Sequence, residues 1–219
     1  MSKVLMKRHS NVWVIVGSRQ TGKTTMLLKQ LQGKRVLFVS YSPMDEKMRD
    51  MEVVKTEYLK YLKPGPGVWR VDISPYLRPD GKTRNDIYRI LEDIRTHFFD
   101  GHVVFDDIMP VIGYNPNSEF MTAIISCRHN CNDIYFIYHN PNDVAPFIYK
   151  QCGYMILFKT GDVDIRKSID KMNRSGEVMK MWEHTRQRSF PAHDFCFLCT
   201  DPVDDRSYEP FVHIHNTAA

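Results

Sequence analysis

Short apolar runs alternate along most of the chain with segments in which apolar residues recur at helical spacing. The runs are typical of strands that are buried on both faces of a sheet, and they cover residues 12–16, 36–40, 68–73, 103–107, 134–138 and 154–158. The segments between them have the spacing of amphipathic helices. Because strands alternate with helices, the pattern predicts an α/β fold with a mostly parallel central sheet that is flanked by helices.

The predicted helices differ in how clearly they begin and end. A helix over residues 23–31 is closed by Gly33, and the helix over residues 84–99 has one apolar stripe. Shorter helices are predicted near residues 118–128 and 144–150. A further helix is predicted before the Pro-Gly-Pro-Gly run of residues 64–67, which ends it. The apolar positions at helical spacing in this segment are Met48, Met51, Val54, Tyr58, Leu59 and Leu62.

The character of the chain changes after about residue 160. Residues 162–188 are polar and rich in charge, and residues 193–215 have the pattern of two strands around a turn at residues 201–208. We therefore predict a core over residues 1–160 and a small C-terminal β appendage over residues 161–219 that packs on this core.

A loop that matches the Walker A spacing lies directly between the first predicted strand and the first predicted helix. Its glycines permit a tight turn whose backbone N–H groups point at phosphate oxygens, and the positive end of the helix adds to the attraction. The lysine of this motif reaches the β- and γ-phosphates, and the hydroxyl that follows ligates Mg²⁺. The loop predicts binding of a nucleoside triphosphate through Gly17, Ser18, Arg19, Gln20, Thr21, Gly22, Lys23, Thr24 and Thr25, with Thr24 on the metal.

Two carboxylates, Asp106 and Asp107, end the apolar run that begins at residue 103. A P-loop enzyme needs an acid at the end of a buried strand to hold Mg²⁺, and Asp106 is the best candidate. Adjacent side chains of a strand face opposite ways, so Asp107 is expected to orient and deprotonate the attacking water. The structural alternative is a solvated strand end or a cap. Residues 140–143 lack the lysine of a guanine-reading motif, which favours ATP over GTP.

Composition and charge change this picture only slightly. A length of 219 residues suits one α/β domain, and a net charge of +4 permits a polyanionic partner without demanding one. The chain has no long apolar run and no secretory leader, and its five cysteines form no secreted-type framework. The sequence therefore predicts an intracellular protein without a membrane span.

The order of these motifs resembles the FtsK–HerA superfamily of DNA-pumping ATPases. The phosphate loop is followed by the acidic strand end, then by Ser-Cys-Arg-His at residues 126–129, and then by a strand that ends in His-Asn-Pro-Asn-Asp-Val at residues 139–144. The similarity is closest to the compact viral genome-packaging ATPases, with the Zot-like phage assembly proteins second, and it covers about residues 10–160. The resemblance implies an additional-strand, RecA-like P-loop fold.

The resemblance also implies roles for further residues. Arg128 corresponds to an arginine finger or γ-phosphate sensor, and His139 occupies the polar sensor position. The family usually has Asp-Glu where this chain has Asp106 and Asp107, so Glu119 competes with Asp107 as the catalytic base. The sensor is commonly glutamine, whereas a histidine changes charge near neutral pH. A surface arginine and a packed histidine are the structural alternatives for these two positions.

The function implied by the resemblance is a ring-forming motor that hydrolyses ATP with Mg²⁺ to move double-stranded DNA. The protein would contact the phosphate backbone of the DNA, and loop residues 109–117 are the candidates for these contacts. An arginine finger supplied by a neighbouring subunit requires a homo-oligomer, and the family implies a hexameric ring. The expected task is packaging of a viral genome at a capsid or portal vertex, in the host cytoplasm or the virion.

Two other functions stay open. A Zot-like protein would use nucleotide for phage assembly or secretion without DNA transport. A small-molecule kinase would use the arginines of residues 162–188 as a lid, although a solvated helix face or a DNA-backbone contact also explains that basic segment. Near the C-terminus, Cys196 and Cys199 invite a zinc site together with His193, His213 and His215. Alternation places the two cysteines on opposite faces of a strand, so a buried strand is favoured.

Overall fold

The computed structural model describes residues 10–40, 46–73, 83–108, 121–122, 126, 128–130, 132–161, 164–170, 172, 174–200 and 211–215. Within these ranges nine strands form one sheet. They are β1 Val12–Val16, β2 Arg35–Ser40, β3 Glu52–Val53, β4 Gly67–Asp72, β5 His102–Asp106, β6 Asp133–Tyr138, β7 Tyr154–Phe158, β8 Phe195–Cys199 and β9 Val212–Ile214. The helices are α1 Lys23–Gln30, α2 Glu46–Arg49, α3 Thr83–His97, α4 Pro146–Gln151, α5 Arg166–Ile169 and α6 Ser175–Thr185, with 3₁₀ turns at Thr56–Tyr61 and Pro141–Asp143.

The strand order across the sheet is β3-β4-β2-β5-β6-β1-β7-β8-β9. Every pairing from β3 to β7 is parallel, whereas β8 and β9 are antiparallel additions beside β7. Strand β6 lies between β1 and β5, so one strand separates the phosphate loop from the strand that ends in Asp106. The mostly parallel sheet with an additional strand is therefore confirmed. The carboxyl ends of β1, β5 and β6 meet at one edge, where an α/β sheet binds its ligands.

Each face of the sheet carries one apolar layer. On one face, Met26 and Leu27 of α1 pack with Val104 of β5. On the other face, α3 and α6 contribute Ile94 and Trp182 to a larger layer. Both layers use side chains from the same strands, which is why those strands have continuous rather than alternating apolar sequences.

The apolar stripe predicted for the helix over residues 84–99 is confirmed in α3. Its Ile90, Leu91 and Ile94 are buried, as is Phe98 just beyond its end. The strands expected within residues 193–215 are also confirmed as β8 and β9. The turn predicted at residues 201–208 and most of the helix predicted near residues 118–128 lie outside the described residues.

The single helix predicted from the spacing of Met48 to Leu62 is wrong. The segment contains the short helix α2, the two-residue strand β3 and the 3₁₀ turn Thr56–Tyr61. β3 pairs with β4 in parallel, and the N–H of Val54 donates to the Arg70 carbonyl at 2.9 Å. Val53 and Val54 are β-branched and favour extended backbone. Pairing with the edge of β4 is therefore preferred to a continuous helix. Tyr58, which the helical period would place on the apolar stripe, is half exposed in the structure.

The charged segment at residues 162–188 is packed against the core along part of its length. α6 buries Val178, Met181 and Trp182, which fixes one face of this helix and disfavours its use as a free lid. Among the described residues, no helix combines the length and the apolar character needed to cross a membrane.

Candidate nucleotide-binding site

The predicted phosphate loop leaves β1 at Gly17 and is fastened to the ends of both neighbouring strands. The N–H of Gly17 donates to the Tyr138 carbonyl at 3.2 Å, and the N–H of Ser18 donates to the Lys159 carbonyl at 3.0 Å. These two amides are committed to the sheet. The amides that follow lie in the turn and in the first turn of α1, where a helix offers no carbonyl acceptors of its own.

Glycine is required at two positions of this loop for different reasons. A Cβ on Gly17 would lie 2.5 Å from Phe158 Cβ and 2.9 Å from Thr21 Oγ1, so the close approach of the loop to β7 excludes a side chain. Gly22 has a φ of 88° directly before α1, a left-handed conformation that glycine adopts without strain. The loop shape is therefore encoded in the sequence rather than imposed by a ligand.

Lys23 lies across the interior of the loop. Its Nζ donates to the carbonyls of Gly17 at 2.6 Å and Ser18 at 2.8 Å. Burial lowers the pKa of Lys23 to about 8, against the opposing effect of the nearby carboxylates of Asp106 and Asp107. A buried ammonium held by two neutral carbonyls is incompletely compensated, and an incoming phosphate oxygen would supply the missing charge.

Asp106 and Asp107 stand at the end of β5 but differ in backbone conformation. Asp106 is the last strand residue and shares a face with Val104, which packs in the layer that contains α1. Asp107 has already left the strand, with a φ of 51°. Asp107 therefore does not have the strand geometry from which opposite-facing side chains were expected, because its backbone turns into the left-handed region. Both carboxylates act on the charge of Lys23.

His139 joins the loop to the second carboxylate. Its Nδ1 lies 3.4 Å from Lys23 Nζ, and its Nε2 lies 3.4 Å from Asp107 Oδ2. An ammonium can only donate, so Nδ1 is placed as the acceptor toward Lys23, and Nε2 is the ring nitrogen that faces the Asp107 carboxylate. The structure thus brings three of the predicted site residues together in one chain of contacts.

A cavity of about 650 Å³ opens beside these contacts, within the size range of ligand pockets. Asp143 was not predicted from the sequence, although it follows β6 and so lies at the same edge of the sheet. Burial raises the pKa of Asp143, and the charge of Asp107 adds to the effect. The lining residues are Ser18, Arg19, Asp107, His139, Asn140, Asp143 and Gly161.

The donor set fits a triphosphate and a divalent cation. Thr24 lies in the first turn of α1 and Asp106 at the end of β5, and hydroxyl and carboxylate oxygens are the ligands that Mg²⁺ accepts. Ser40 and Tyr138 end β2 and β6, the two strands on either side of β5, and their hydroxyls are buried with no partner among the described residues. Ser40 is the residue of β2 that pairs with Asp106. This edge of the sheet therefore holds polar groups that the protein alone does not satisfy.

Arg128 lies at the opposite edge of the sheet. It donates to the Ser10 carbonyl at 3.4 Å and to Gln151 Oε1 at 3.2 Å, and Ser10 Oγ donates to the Arg128 carbonyl at 2.8 Å. Ser10 precedes β1, whereas the phosphate loop follows it, so the length of the strand separates them by roughly 16 Å. Within one chain the structure does not bring Arg128 to the loop. Glu119 and residues 109–117 lie outside the described residues.

Comparison with known proteins supports this geometry at the level of fold. A scan of protein-family models finds no match, and a search of curated proteins finds none either. The genome packaging NTPase B204 from Sulfolobus turreted icosahedral virus 2, in complex with AMPPCP, is similar over 87% of this chain and 93% of that chain, with 14% identity and a TM-score of 0.64. The chain has the P-loop NTPase fold.

Two further solved structures agree with this P-loop fold. The DNA-packaging ATPase B204 from Sulfolobus Turreted Icosahedral Virus has 15% identity and a TM-score of 0.62, and the match covers 88% of this chain and 94% of that one. VirB4 of Thermoanaerobacter pseudethanolicus has 12% identity and a TM-score of 0.61, with 97% and 91% covered. The likeness in fold to viral packaging ATPases that the motif order indicated is confirmed.

Proposed function

We propose that this chain is an ATPase that binds ATP and Mg²⁺ at the carboxyl edge of its sheet and uses hydrolysis to move double-stranded DNA. The observation that carries the proposal is the chain of contacts from Lys23 through His139 to Asp107. His139 and Asp107 line the cavity, and the imidazole contacts the buried ammonium of Lys23 behind it. Phosphoryl transfer in P-loop enzymes uses a lysine on the phosphates and a residue that positions the nucleophile.

Binding would exchange the partners of Lys23. Its ammonium now donates to the loop carbonyls of Gly17 and Ser18, and phosphate oxygens would replace them as acceptors while the loop amides of residues 19–24 hold the same oxygens. Thr24 and Asp106 would hold the Mg²⁺. The metal, when bound, neutralises charge that develops on the phosphate oxygens.

Asp107 is the proposed base. It would accept a hydrogen bond from the attacking water and take its proton, while Nε2 of His139, which lies 3.4 Å from Asp107 Oδ2, would help to keep the carboxylate oriented. Glu119 remains the alternative base. Because Asp107 is fixed in a left-handed conformation directly after β5, the backbone as well as the imidazole holds its carboxylate in place.

Arg128 acts in trans in this proposal. It lies at the amino edge of its own sheet, so it can stabilise γ-phosphate charge only in the site of a neighbouring subunit. A homo-oligomeric ring follows, and a hexamer is the form we propose. The fold shared with B204, described as a genome packaging NTPase, supports packaging of a viral genome into a capsid as the task.

The test is an ATPase assay with and without double-stranded DNA, combined with sizing of the particle in the presence of ATP. We expect DNA to stimulate turnover and the protein to form a closed ring. A Lys23→Ala variant is the matched control and should bind neither ATP nor its analogues. A strict monomer whose turnover ignores DNA would overturn the motor, whereas full turnover by Lys23→Ala would overturn the nucleotide site itself.

A further inference from the structure

Three side chains with metal-ligating atoms converge on the outermost strands β8 and β9, which β7 separates from the strand that carries the phosphate loop. Asp194 Oδ2 lies 3.1 Å from His213 Nε2 and 2.7 Å from His215 Nδ1. The three ligand atoms all lie within 4.8 Å of one another. Nothing in the proposed ATPase mechanism uses these residues.

The sheet itself builds this cluster. Asp194 directly precedes β8, and His213 and His215 are two positions apart on β9 and just after it, so their side chains share a face. The antiparallel register pairs Phe195 with Ile214, which places Asp194 opposite His215. β9 is the outermost strand on this side, so the cluster ties the end of an edge strand to its neighbour.

The environment of the cluster favours a cation. The Asp194 side chain is only 7% exposed, and two imidazoles share a single one of its oxygens. A second histidine contact orients His213, because its Nδ1 lies 3.4 Å from Nε2 of His184 on α6. That contact leaves His213 Nε2 facing Asp194. Histidines that bind metals usually have such a partner on the second ring nitrogen, which fixes the tautomer, and His184 is in that position here.

We propose that Asp194, His213 and His215 form a binding site for a divalent transition metal ion of the zinc class. Bonds of about 2.0–2.1 Å in tetrahedral geometry place ligand atoms about 3.3 Å apart, so small side-chain rotations suffice. Imidazole ligands favour zinc-like ions over Mg²⁺. The His215 side chain is 76% exposed, which leaves the fourth coordination position to water.

This ligand set differs from the pair Cys196 and Cys199 that the sequence offered as zinc ligands. Cys196 packs in the larger apolar layer, whereas Phe195 lies in the layer of the opposite face. The cluster found in the described residues contains no cysteine. Its ligands come from two strands across a strand register rather than from a short sequence spacing.

The experiment uses the full chain without nucleotide, stripped with chelator and titrated with Zn²⁺ and, in parallel, Co²⁺. We expect one equivalent of zinc by elemental analysis, a tetrahedral cobalt spectrum and a rise in melting temperature with either ion. His215→Gln and Asp194→Asn should weaken binding at least tenfold, with unchanged far-UV circular dichroism. Since the His215 ring is largely exposed, its replacement should not prevent folding.

Two control variants separate this site from other metal binding. His193→Gln changes an exposed histidine next to Asp194 and should keep one equivalent. Asp106→Asn removes the proposed Mg²⁺ ligand of the phosphate site and should also keep it. The proposal is overturned if the wild type binds no stoichiometric metal, or if His215→Gln and Asp194→Asn bind as tightly as the wild type.

Discussion

His139 Nε2 lies 3.4 Å from Asp107 Oδ2 across the wall of the cavity. Because the other ring nitrogen faces the ammonium of Lys23, the imidazole can serve Asp107 only as a donor. His139 therefore lies between the two charged groups, with Nε2 facing the carboxylate and Nδ1 facing the lysine. A glutamine amide, which carries an NH₂ donor group and a carbonyl acceptor, can face both groups in the same way.

Replacement of His139 should separate turnover from binding. His139→Ala removes the imidazole that lies 3.4 Å from the proposed base Asp107, so we expect kcat to fall about ten- to a hundredfold with a KM for ATP within a factor of about three. His139→Gln should keep most of kcat. Steady-state ATPase kinetics on both variants give the answer, and equal losses in Ala and Gln variants would contradict the positioning role.

Neutralising Asp106 and neutralising Asp107 should change the ATPase kinetics in different ways. Asp106→Asn removes a proposed ligand of Mg²⁺, so the concentration of Mg²⁺ needed for half-maximal turnover should rise about tenfold or more. Asp107→Asn removes the proposed base, so kcat should fall at least a hundredfold while ATP binding persists. Mg²⁺ titrations of turnover and binding of a fluorescent ATP analogue distinguish them. If Asp107→Asn turns over normally, the base is another residue, with Glu119 next to be tested.

Gly17→Ala should disrupt the loop through a steric clash. The added Cβ would lie 2.5 Å from Phe158 Cβ. Rotation of a side chain does not move its Cβ atom, so the clash can be relieved only by a shift of the backbone. We expect a loss of about 1–3 kcal/mol in the free energy of unfolding and loss of ATP binding. Thermal or urea unfolding measures the first, and analogue binding measures the second.

The matched control is Gly176→Ala on α6, where an added Cβ has no neighbour within 4 Å. Alanine is the better helix former, so this variant should be neutral or more stable by up to about 1 kcal/mol. Similar destabilisation by both substitutions would show that the effect at Gly17 is not specific to its contact with Phe158.

Local sequence signals were sufficient for the loop and its flanking elements. The strand, the glycines and the helix from residue 12 to residue 30 are adjacent in the chain, so spacing alone specifies their arrangement. Residues 46–62 could not be predicted in this way, because the pairing of Val53 with Arg70 on β4 depends on a sheet edge formed elsewhere.

The contacts within the site were less accessible to sequence reasoning than its members. Lys23, Asp107 and His139 were each predicted, but the left-handed turn at Asp107 that joins them is a single backbone choice with no pattern of its own. The cluster of Asp194, His213 and His215 depends on the register of β8 with β9. A two-residue shift of that register would separate the same residues.

Affinity for ATP should fall as the pH rises above about 8. Burial lowers the pKa of Lys23 to about 8 in the nucleotide-free protein, and bound phosphate would raise it, because an anion favours the charged ammonium. Binding then takes up a proton above that pH, and the affinity falls by up to tenfold per pH unit. Dissociation constants measured from pH 7.5 to 9.5 test this, with Lys23→Arg as the control whose charge, and therefore affinity, should not change over the range.

The position of Arg128 makes a test of subunit sharing possible. Its contacts with Ser10 and Gln151 place it at the amino edge, on the far side of the sheet from Lys23. If it completes a neighbour's site, Lys23→Ala and Arg128→Ala proteins should each be inactive alone. Mixed rings, however, contain sites in which an intact Lys23 faces an intact Arg128.

Mixing the two inactive proteins should therefore restore ATPase activity. Each site needs an intact Lys23 from one subunit and an intact Arg128 from its neighbour, so equal and random assembly should restore up to about a quarter of the wild-type activity. The mixture is annealed at low concentration and then concentrated with ATP, and turnover is compared with that of each variant alone. Arg188→Ala, which removes an exposed arginine beyond α6, is the control and should be active without mixing. Failure of the mixture to recover activity, with rings formed normally, would remove Arg128 as a finger in trans, because an arginine that acts only within its own chain cannot repair a neighbour's site.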